Sequence, residues 1–431
     1  MIDAWKTIRT DDVETFRRKA LHWASGFEVC TYLDSNGIAY PQQAFENLLA
    51  VGTKAICLFD NGQTFYRLQQ FYQQQKDWIF GHFTYDLKNE TEALHSQNPN
   101  RVNFPDAFFY VPEYLIRFSK NAVHLYPSEK ANELLDQIQN TNICPVEIPP
   151  PTLQQRTSYE KYIRSVNAIK EHIIEGDIYE LNYCIEFFAE NSDADPLFLY
   201  ERLNAVSPTP FSTFHKVIDK YLLCASPERF IKKTDQQLIS QPIKGTIKRG
   251  QNPEEDQALQ LQLRQDEKEI AENMMIVDLV RNDLARSCEF GSVKVPELFG
   301  IYAFRQVHQM ISTVTGTLRK EVPFTQAIRN AFPMGSMTGA PKIRAMELIE
   351  RYEDCQRGLY SGSVGYITPE GDFDFNVVIR SILYNQASRY LSFQIGSAIT
   401  YDALAEKEYQ ECVLKAQGIL KALGVDRLPS Q

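Results

Sequence analysis

A lysine set between a proline and a glycine is the first residue of this sequence that could do chemistry. It stands in residues 240–250, directly after a run of alternating apolar residues that is typical of a strand. Pro242 fixes its own φ, and Gly245 allows the backbone to turn or to approach a ligand, so the ammonium of Lys244 should point in one defined direction. A lysine held in this way becomes a nucleophile when burial or neighbouring charge lowers its pKa. The short motif also fits a surface lysine at a strand end, and the residues alone leave both interpretations open.

Two pairs of glutamates recur at the i,i+3 spacing that brings side chains onto one face of a helix. A long helix is predicted over residues 266–283 with Glu269 and Glu272 on one face, and a helix over residues 404–420 carries Glu408 and Glu411. Four carboxylates from two helices suit a hard cation such as Mg²⁺, which keeps water and substrate oxygens in its shell, so only some of the four should bind it directly. In a chain with 55 acidic residues such pairs also occur on solvated faces, and the spacing alone does not decide.

The elements that must position these side chains follow a mixed pattern. Before residue 142 short alternating runs and helical segments intermingle, which predicts an α+β region; the runs lie at 27–33, 54–59 and 123–126 and the helical segment at 64–75. Consecutive prolines in residues 144–151 predict a linker, because proline cannot join a helix interior or a central strand. We therefore divide the chain into an amino-terminal region, 1–150, and a catalytic domain, 151–431. The next helix is predicted to begin at Ser158 and to stop at Gly176.

Composition describes an ordinary globular chain. With 431 residues, 43% of them hydrophobic, it can bury large cores. A net charge of −10 argues against a nucleic-acid partner or an anionic membrane surface. No run of about 18 apolar residues exists, and residues 1–6 lack the apolar core of a signal peptide, so we expect a cytoplasmic protein that does not bind membranes. The eight cysteines are scattered without a Cys-x-x-Cys pair, which argues against zinc and disulfide frameworks.

The loop Pro-Ile-Lys-Gly-Thr at 242–246 resembles the signature loop of chorismate-utilising enzymes of the anthranilate synthase component I family. The resemblance is close after residue 150 and loose before it. It implies an α+β fold of two large antiparallel β-sheets packed as a sandwich with helices outside. In this family lysine in the loop is typical of the branch that converts chorismate and ammonia to 4-amino-4-deoxychorismate, for para-aminobenzoate and folate biosynthesis. The anthranilate-forming branch typically has alanine there.

The resemblance assigns catalytic roles. Lys244 would add to the chorismate ring, and Glu228, in the motif Ser-Pro-Glu-Arg-Phe at 226–230, would be a general acid/base. Glu180 stands where the family usually has glutamine and where the water-adding relatives place a lysine base. Water addition is therefore disfavoured, and the role of Glu180 stays open. Gln309 occupies the place of the family histidine that aids departure of the ring hydroxyl, and His308, one residue earlier, is a further candidate although its ring should point to the other strand face.

The resemblance also assigns the cofactor and the substrate contacts. The two glutamate pairs match the family's magnesium motifs, with Glu272 and Glu411 as direct Mg²⁺ ligands and Glu269 and Glu408 as water-linked carboxylates. The implied substrate contacts are Thr246 in the signature loop, Ser336 and Thr338 in the turn 332–342, Tyr366 at the pyruvyl side chain, Arg380 at the end of a strand over 376–380, and the backbone of Gly396, Ser397 and Ala398 in a glycine-rich turn. Ala398 would be strained if that turn needs a positive φ.

Two other functions remain open at this stage. Anthranilate synthase component I shares the fold and metal but adds ammonia at C2, where the Lys244 side chain would stand in the way. A non-catalytic relative that binds chorismate or a partner is the third possibility, because Glu180, Gln309 and Ala398 depart from the family pattern. No cysteine lies in a Gly-x-Cys-x-Gly nucleophile turn, so the resemblance implies a separate glutamine amidotransferase subunit as the source of ammonia.

Overall fold

Strands and helices alternate along the chain. The computed structural model describes residues 5–59, 62–143, 148–305 and 307–429, and all statements on structure refer to these ranges. The strands are β1 (Lys6–Arg9), β2 (Val29–Asp34), β3 (Leu48–Val51), β4 (Ala55–Cys57), β5 (Ile79–Phe83), β6 (Ala107–Val111), β7 (Tyr114–Ser119), β8 (Ala122–Tyr126), β9 (Gln154–Gln155), β10 (Glu180–Ala189), β11 (Phe211–Val217), β12 (Lys220–Ser226), β13 (Arg229–Thr234), β14 (Gln237–Gln241), β15 (Ile243–Lys248), β16 (Lys294–Ala303), β17 (Val307–Thr317), β18 (Gly339–Ala340), β19 (Ser363–Ile367), β20 (Phe373–Asn376), β21 (Ser381–Asn385) and β22 (Tyr390–Ile399). The helices are α1 (Val13–Ser25), α2 (Thr64–Gln75), α3 (Lys88–Thr91), α4 (Ala131–Gln139), α5 (Tyr159–Ile174), α6 (Pro196–Val206), α7 (Pro253–Gln265), α8 (Glu267–Ala285), α9 (Phe324–Ala331), α10 (Lys342–Tyr352) and α11 (Ala405–Leu423).

The strands form two large antiparallel sheets. The first has twelve strands in the order β1-β8-β7-β3-β2-β11-β12-β21-β22-β10-β18, with β9 paired to β10. The second has ten in the order β15-β17-β14-β13-β20-β19-β5-β6-β4, with β16 paired to β17. The expected α+β fold with two large antiparallel sheets is confirmed. Both sheets contain strands from either side of residue 150. The division at that point stays a prediction, and residues 144–147 of the predicted linker lie outside the described residues.

Alternating side chains give the first sheet two buried faces. In β12, Leu222 and Cys224 belong to the core shared with the second sheet, whereas Leu223 and Ala225 belong to the core under the helices. The helices that bury residues in this outer core include α1, α4, α5, α6 and α11. Each fully buried aliphatic or aromatic side chain stabilises the fold by about 1.5–3 kcal/mol relative to its exposure. This layered packing fixes the spacing between the sheets, and the site described below bridges it.

Helix ends follow the sequence signals. Helix α2 has the predicted bounds, and the Ser158 side chain caps α5 by accepting a hydrogen bond from the backbone N–H of Lys161 at 3.2 Å. Gly176, just after α5, takes φ +84°, which suits glycine. Asp266 caps α8 through the backbone N–H of Glu269 at 3.1 Å. The cap fixes where α8 begins and therefore which of its residues share a face.

The predicted strand over residues 376–380 is wrong. Strand β20 ends at Asn376, and the next residues cross from the second sheet to the first, where β21 begins at Ser381. Their backbone bonds reflect this crossing, because the N–H of Val377 donates to the Glu228 carbonyl at 3.0 Å. Arg380 has φ +53°, which a regular strand does not allow.

Candidate functional site

The centre of the site is an ion pair between the two sheets. Lys244 lies on β15, at one edge of the second sheet, and Glu180 is the first residue of β10 in the first sheet. The Lys244 Nζ donates to Glu180 Oε1 at 2.5 Å, and the side chains are 10% and 1% exposed. The nucleophile candidate therefore points into the gap between the sheets and not out from a strand end.

The backbone around Lys244 is held by a bulge and an asparagine. The register of β15 against β17 shifts between Ile243 and Thr246, and Gly245 within this bulge has φ +95°. This confirms that Gly245 supplies the turn that directs Lys244. Asn273 on α8 donates to the Lys244 carbonyl at 3.3 Å and itself accepts from Ser312 Oγ at 2.6 Å. Sequence reasoning missed the role of Asn273, although the residue stands next to a predicted metal ligand.

The charges around Lys244 keep it protonated. Burial by itself lowers the pKa of Lys244, but Glu180, Glu272 and Glu411 outweigh burial, and the pKa lies above its ordinary value. The sequence-based hypothesis of a nucleophile asks for a lowered pKa. In this structure the ammonium form is favoured, so the lysine can attack only after a neighbouring group accepts its proton.

Glu228 is the second titratable group of the site. It is buried, and it accepts a hydrogen bond from Ser336 Oγ on Oε1 at 2.6 Å. Burial raises its pKa to about 7, against the lowering effects of Ser336, of the Lys244 charge and of the backbone of Ile243. A carboxyl group with a pKa near 7 can both give and take a proton at neutral pH, which suits a general acid/base. The hydrogen bond also places Ser336, a predicted substrate contact, beside Glu228.

The four predicted metal ligands lie on α8 and α11 and influence one another. Glu272 and Glu408 are buried, whereas the side chain of Glu411 is 41% exposed. Lys268 lies among them, with its Nζ 3.6 Å from Glu272 Oε1 and 3.3 Å from Glu408 Oε1. Glu272 Oε1 and Glu408 Oε2 are buried without a hydrogen-bond partner among the described residues. Carboxylate oxygens that are buried and have no hydrogen-bond partner fit a hard divalent cation.

Repulsion within this cluster appears in the pKa values. Burial raises the pKa of Glu272 to about 7, although Lys244 and Lys268 lower it. Burial and the charge of Glu411 raise the pKa of Glu269 and of Glu408. Glu411 behaves differently: burial raises its pKa, but the adjacent Lys415, 2.5 Å away, helps to bring the pKa below its ordinary value. A divalent cation would relieve the repulsion that the lysines only partly compensate.

The charge of Arg380 is linked to Tyr360, which the sequence did not indicate. Burial lowers the pKa of Arg380, and the charges that oppose this effect are those of Tyr360 and Glu411. Arg380 Nη1 donates to the Lys415 carbonyl at 3.3 Å, at the side of α11 that carries Glu411. Tyr360 is buried. Only the fold brings Tyr360 to Arg380, because the two are separated by β19 and β20.

Tyr366, the predicted pyruvyl contact, lies in a different environment. Its ring packs near those of Trp78 and Phe80, with centroids 5.7 and 6.0 Å away. Burial raises the pKa of Tyr366, and the charges of Asp374 and Glu46 add to this effect. These differ from the groups near Arg380. Tyr366 therefore lies among aromatic side chains of the core between the sheets.

The predicted glycine-rich turn is a strand. Gly396, Ser397 and Ala398 lie in β22 and pair with Cys184, Tyr183 and Asn182 of β10. Pairing with β10 keeps the backbone of β22 in an extended conformation, so Ala398 has no positive φ and carries no strain. A Cβ at position 396 would come within 2.5 Å of Cys184 Sγ, so close packing explains that glycine. On the opposite edge, β22 pairs with β21 only at residues 390–392, so β21 does not cover Gly396, Ser397 and Ala398.

The side chains of three further predicted contacts have other positions. Ser397 Oγ lies 3.1 Å from the Tyr162 hydroxyl, on the helix side of the first sheet. Thr338 Oγ1 donates to the Met334 carbonyl at 3.1 Å and is buried, so it stabilises the turn before α10. Thr246 is exposed on β15, opposite Gln309.

His308 is held by another network. Its Nε2 is 2.8 Å from Asp256 Oδ1 on α7, and Asp256 also accepts from Arg249 Nε at 2.8 Å. The neighbouring Gln309 is buried, and its Oε1 has no hydrogen-bond partner among the described residues. Successive strand residues point to opposite faces, so His308 and Gln309 cannot share one environment.

Lys244, Glu180, Glu228 and the two carboxylate helices thus form one polar site between the sheets. A sequence profile of the chorismate binding enzymes matches residues 31–421. The chain belongs to the chorismate binding enzyme family. The family match covers the strands and helices that carry every residue of this site.

Individual members of the family extend the comparison. The chloroplastic aminodeoxychorismate synthase of Arabidopsis thaliana is 43% identical over 365 residues, which are 79% of this chain and 39% of the relative. Anthranilate synthase component 1 of Methanothermobacter thermautotrophicus is 36% identical over 380 residues, 85% of this chain and 79% of the relative. Among solved structures, anthranilate synthase component I from Streptococcus pneumoniae superposes with a TM-score of 0.79 at 26% identity, over 89% of this chain and 93% of that chain. This chain therefore spans about two fifths of the Arabidopsis relative and most of the other two. These relatives are named for two different products, aminodeoxychorismate and anthranilate. The choice between the two reactions therefore depends on residues of the site.

Among the described residues, no helix is both long enough and apolar enough to cross a bilayer.

Proposed function

We propose that this chain converts chorismate and ammonia to 4-amino-4-deoxychorismate. The observation that carries the proposal is Lys244, a largely buried lysine whose Nζ donates to Glu180 and whose charge Glu272 and Glu411 also stabilise. A lysine at this position can add to the ring and be displaced by ammonia, which a carbon side chain such as alanine cannot do. The similarity to the Arabidopsis aminodeoxychorismate synthase supports the same choice.

In the proposed reaction Lys244 attacks C2 of the ring and the 4-hydroxyl leaves. Glu228, with its pKa of about 7, gives the departing oxygen a proton so that water leaves. Ammonia then adds at C4 and expels the lysine, and Glu228 takes back a proton from the new ammonium. The Lys244 side chain thus provides a covalent intermediate, which divides one difficult substitution into two easier steps.

Chorismate is a dianion, and its binding needs positive charge in this acidic site. Glu272 and Glu411 would bind Mg²⁺ directly, and Glu269 and Glu408 would bind it through water; the buried oxygens Glu272 Oε1 and Glu408 Oε2, which have no hydrogen-bond partner among the described residues, fit such a cation. When bound, Mg²⁺ would neutralise part of the carboxylate charge and attract a carboxylate of the substrate. Arg380 supplies a second positive group on the α11 side of the site.

The second candidate is anthranilate formation, which the similarity to the Methanothermobacter anthranilate synthase favours. In that reaction ammonia adds at C2 and pyruvate is eliminated. The Lys244 side chain, held by Glu180, would stand in the way of ammonia at C2, so we rank this reaction second.

The test is a product assay with chorismate, Mg²⁺ and ammonium at pH 8.5. We expect aminodeoxychorismate from the wild-type chain, and at least a 100-fold lower rate for Lys244→Ala, since the covalent route is lost. Lys248→Ala, an exposed lysine on the same strand, is the matched control and should keep the wild-type rate. Anthranilate as the sole product would establish the second candidate. Chorismate binding without any turnover would indicate a non-catalytic relative. Full activity of Lys244→Ala would remove the covalent role.

A glutamine amidotransferase partner, acting with this chain in the cytoplasm, completes the proposal. Free ammonia is scarce at neutral pH because most of it is protonated. All seven cysteines in the described residues are buried. Burial raises the pKa of several of them, which is the opposite of what a nucleophilic thiol needs. We therefore expect turnover with ammonium but none with glutamine until the partner is added, and glutamine-dependent turnover by the isolated chain would contradict this.

A further inference from the structure

We infer that Glu180 is the catalytic base that accepts the Nζ proton of Lys244 as the lysine attacks the substrate. This inference rests on the proposed function, because it assigns the step that makes Lys244 a nucleophile. The ammonium seen in the structure has no lone pair, and a proton acceptor in contact with Nζ is therefore a chemical requirement of the covalent route.

The position of Glu180 meets the geometric condition for this transfer. Its Oε1 is 2.5 Å from Nζ, within the range of a short charge-assisted hydrogen bond along which a proton can move. The carboxylate is 1% exposed, and Oε2 is buried without a hydrogen-bond partner among the described residues. Among the described residues, the Lys244 ammonium is thus the recorded hydrogen-bond donor to this carboxylate.

The backbone holds Glu180 in place. It pairs with Ala340 of β18, and the N–H of Tyr179 donates to the Ala340 carbonyl at 2.7 Å. The contact is so close that a Cβ at Gly339 would come within 2.1 Å of the Glu180 carbonyl oxygen. A base on a fixed strand end keeps its distance to Nζ through the reaction, as catalysis by proton transfer requires.

The other carboxylates near Lys244 have different partners. Glu228 accepts from Ser336, and its proton is used at the 4-oxygen. Glu272 on α8 and Glu411 on α11 affect the charge of Lys244 from a longer range and are the expected cation ligands, with Lys268 beside them. Glu180 is the carboxylate whose direct contact with Nζ the structure records.

Proton transfer within the pair becomes easier when substrate fills the site. Two buried charges are each costly without water, whereas a neutral amine beside a carboxylic acid carries no charge to desolvate. The Lys244 side chain is 10% exposed, and chorismate would displace the remaining water around its Nζ. Exclusion of water thus favours the neutral pair at the moment the amine is needed.

The protons balance over the cycle. An N–H bond of Lys244 breaks and an O–H bond of Glu180 forms; the amine then bonds to C2 while the C4–O bond breaks, and Glu228 protonates the oxygen to give water. Ammonia bonds to C4, the C2–N bond breaks, and Lys244 leaves as a neutral amine. The new ammonium returns a proton to Glu228, and Glu180 returns its proton to Lys244. The net reaction exchanges one ammonia for one water.

The first test is the rate of aminodeoxychorismate formation by Glu180→Gln with saturating ammonium. We expect kcat to fall at least 100-fold, as for the loss of a general base, with KM for chorismate within about threefold of wild type. Glu180→Asp keeps the carboxylate at a longer reach and should lose less, about tenfold. Glu186→Gln is the matched control, because Glu186 is a buried glutamate of the same strand that is ion-paired with Arg156 away from the site, and it should keep the wild-type kcat.

A second measurement uses cyanate, which carbamoylates neutral amines, with the Lys244 peptide followed by mass spectrometry. Removing the partner carboxylate should make Lys244 react severalfold faster in Glu180→Gln while the enzymatic rate falls. Unfolding would also expose Lys244 to cyanate, so the response counts as loss of a base only where the circular-dichroism spectrum and the urea midpoint of Glu180→Gln match those of the wild type. An unchanged or raised kcat in Glu180→Gln would overturn the inference, and so would a reduced kcat with unchanged carbamoylation. A wild-type chain that forms no aminodeoxychorismate would instead refute the proposed function itself.

Discussion

Glu228 provides a test of the site that needs no substrate. Replacing it by glutamine removes the ionisable group but keeps a side-chain oxygen that can accept from Ser336 Oγ, which is 2.6 Å from Glu228 Oε1. Burial holds the pKa of Glu228 at about 7, compared with an ordinary value of 4.5. The folded chain therefore binds a proton at Glu228 between pH 4.5 and 7 that the unfolded chain has released.

The sign and size of the effect follow from this difference. Where the folded state holds more protons, the free energy of unfolding falls as pH rises. The wild type should thus lose stability from about pH 4.5 to about pH 7 because of Glu228, in total about 3 kcal/mol at about 1.36 kcal/mol per pH unit. Glutamine cannot ionise, so Glu228→Gln should equal the wild type near pH 4.5 and exceed it by about 3 kcal/mol at pH 8.5.

The assay is urea unfolding of both proteins at the two pH values, with a chelator present so that cation binding does not contribute. Glu186→Gln is a suitable control, since Glu186 is ion-paired with Arg156 and its loss should not stabilise the protein at pH 8.5. An equal difference between Glu228→Gln and wild type at both pH values would show that the carboxyl group is not held neutral by burial, and the argument for its role as an acid at neutral pH would fail.

Three further predictions concern the parts that hold Lys244 and the cation. Gly245→Ala places a Cβ 3.2 Å from Glu269 Oε2 at φ +95°, so the free energy of unfolding in urea should fall by about 1–3 kcal/mol and kcat should also fall. The control is Gly291→Ala, which is also at positive φ but has no atom within 4 Å of its Cβ; it should lose stability and keep its kcat. Equal effects of the two changes on kcat would contradict the reasoning. Asn273→Ala removes the donor to the Lys244 carbonyl and leaves Ser312 without its acceptor, so the free energy of unfolding should fall by about 1–3 kcal/mol and kcat should fall. Met274 is the exposed neighbouring residue, and Met274→Ala should change neither quantity. Glu272→Gln should raise the Mg²⁺ concentration for half-maximal activity at least tenfold, with the exposed Glu254→Gln unchanged; an unaltered Mg²⁺ dependence would exclude Glu272 as a ligand.

Local chemistry in the sequence predicted a large part of this structure. The bounds of α2, the start of α5 at Ser158 and the backbone turn at Gly245 depend on residues within a few positions of each other, which is why the sequence alone could indicate them. The spacing of Glu269 with Glu272 and of Glu408 with Glu411 also follows from helix geometry alone.

Contacts between distant segments were decided only by the tertiary structure. The pairing of Lys244 with Glu180 joins opposite sheets, and the approach of Tyr360 to Arg380 follows a crossing between those sheets that no local pattern marks. Gly396 and Ala398 have the composition of a turn but lie in a strand, because pairing with β10 outweighs their local preference. The charge state of Lys244 is the clearest case: its own residues permit a lowered pKa, and the carboxylates brought to it by β10, α8 and α11 raise it. Electrostatic interactions act through space, so the protonation of a buried group depends on which elements the fold places around it and not on its neighbours in sequence.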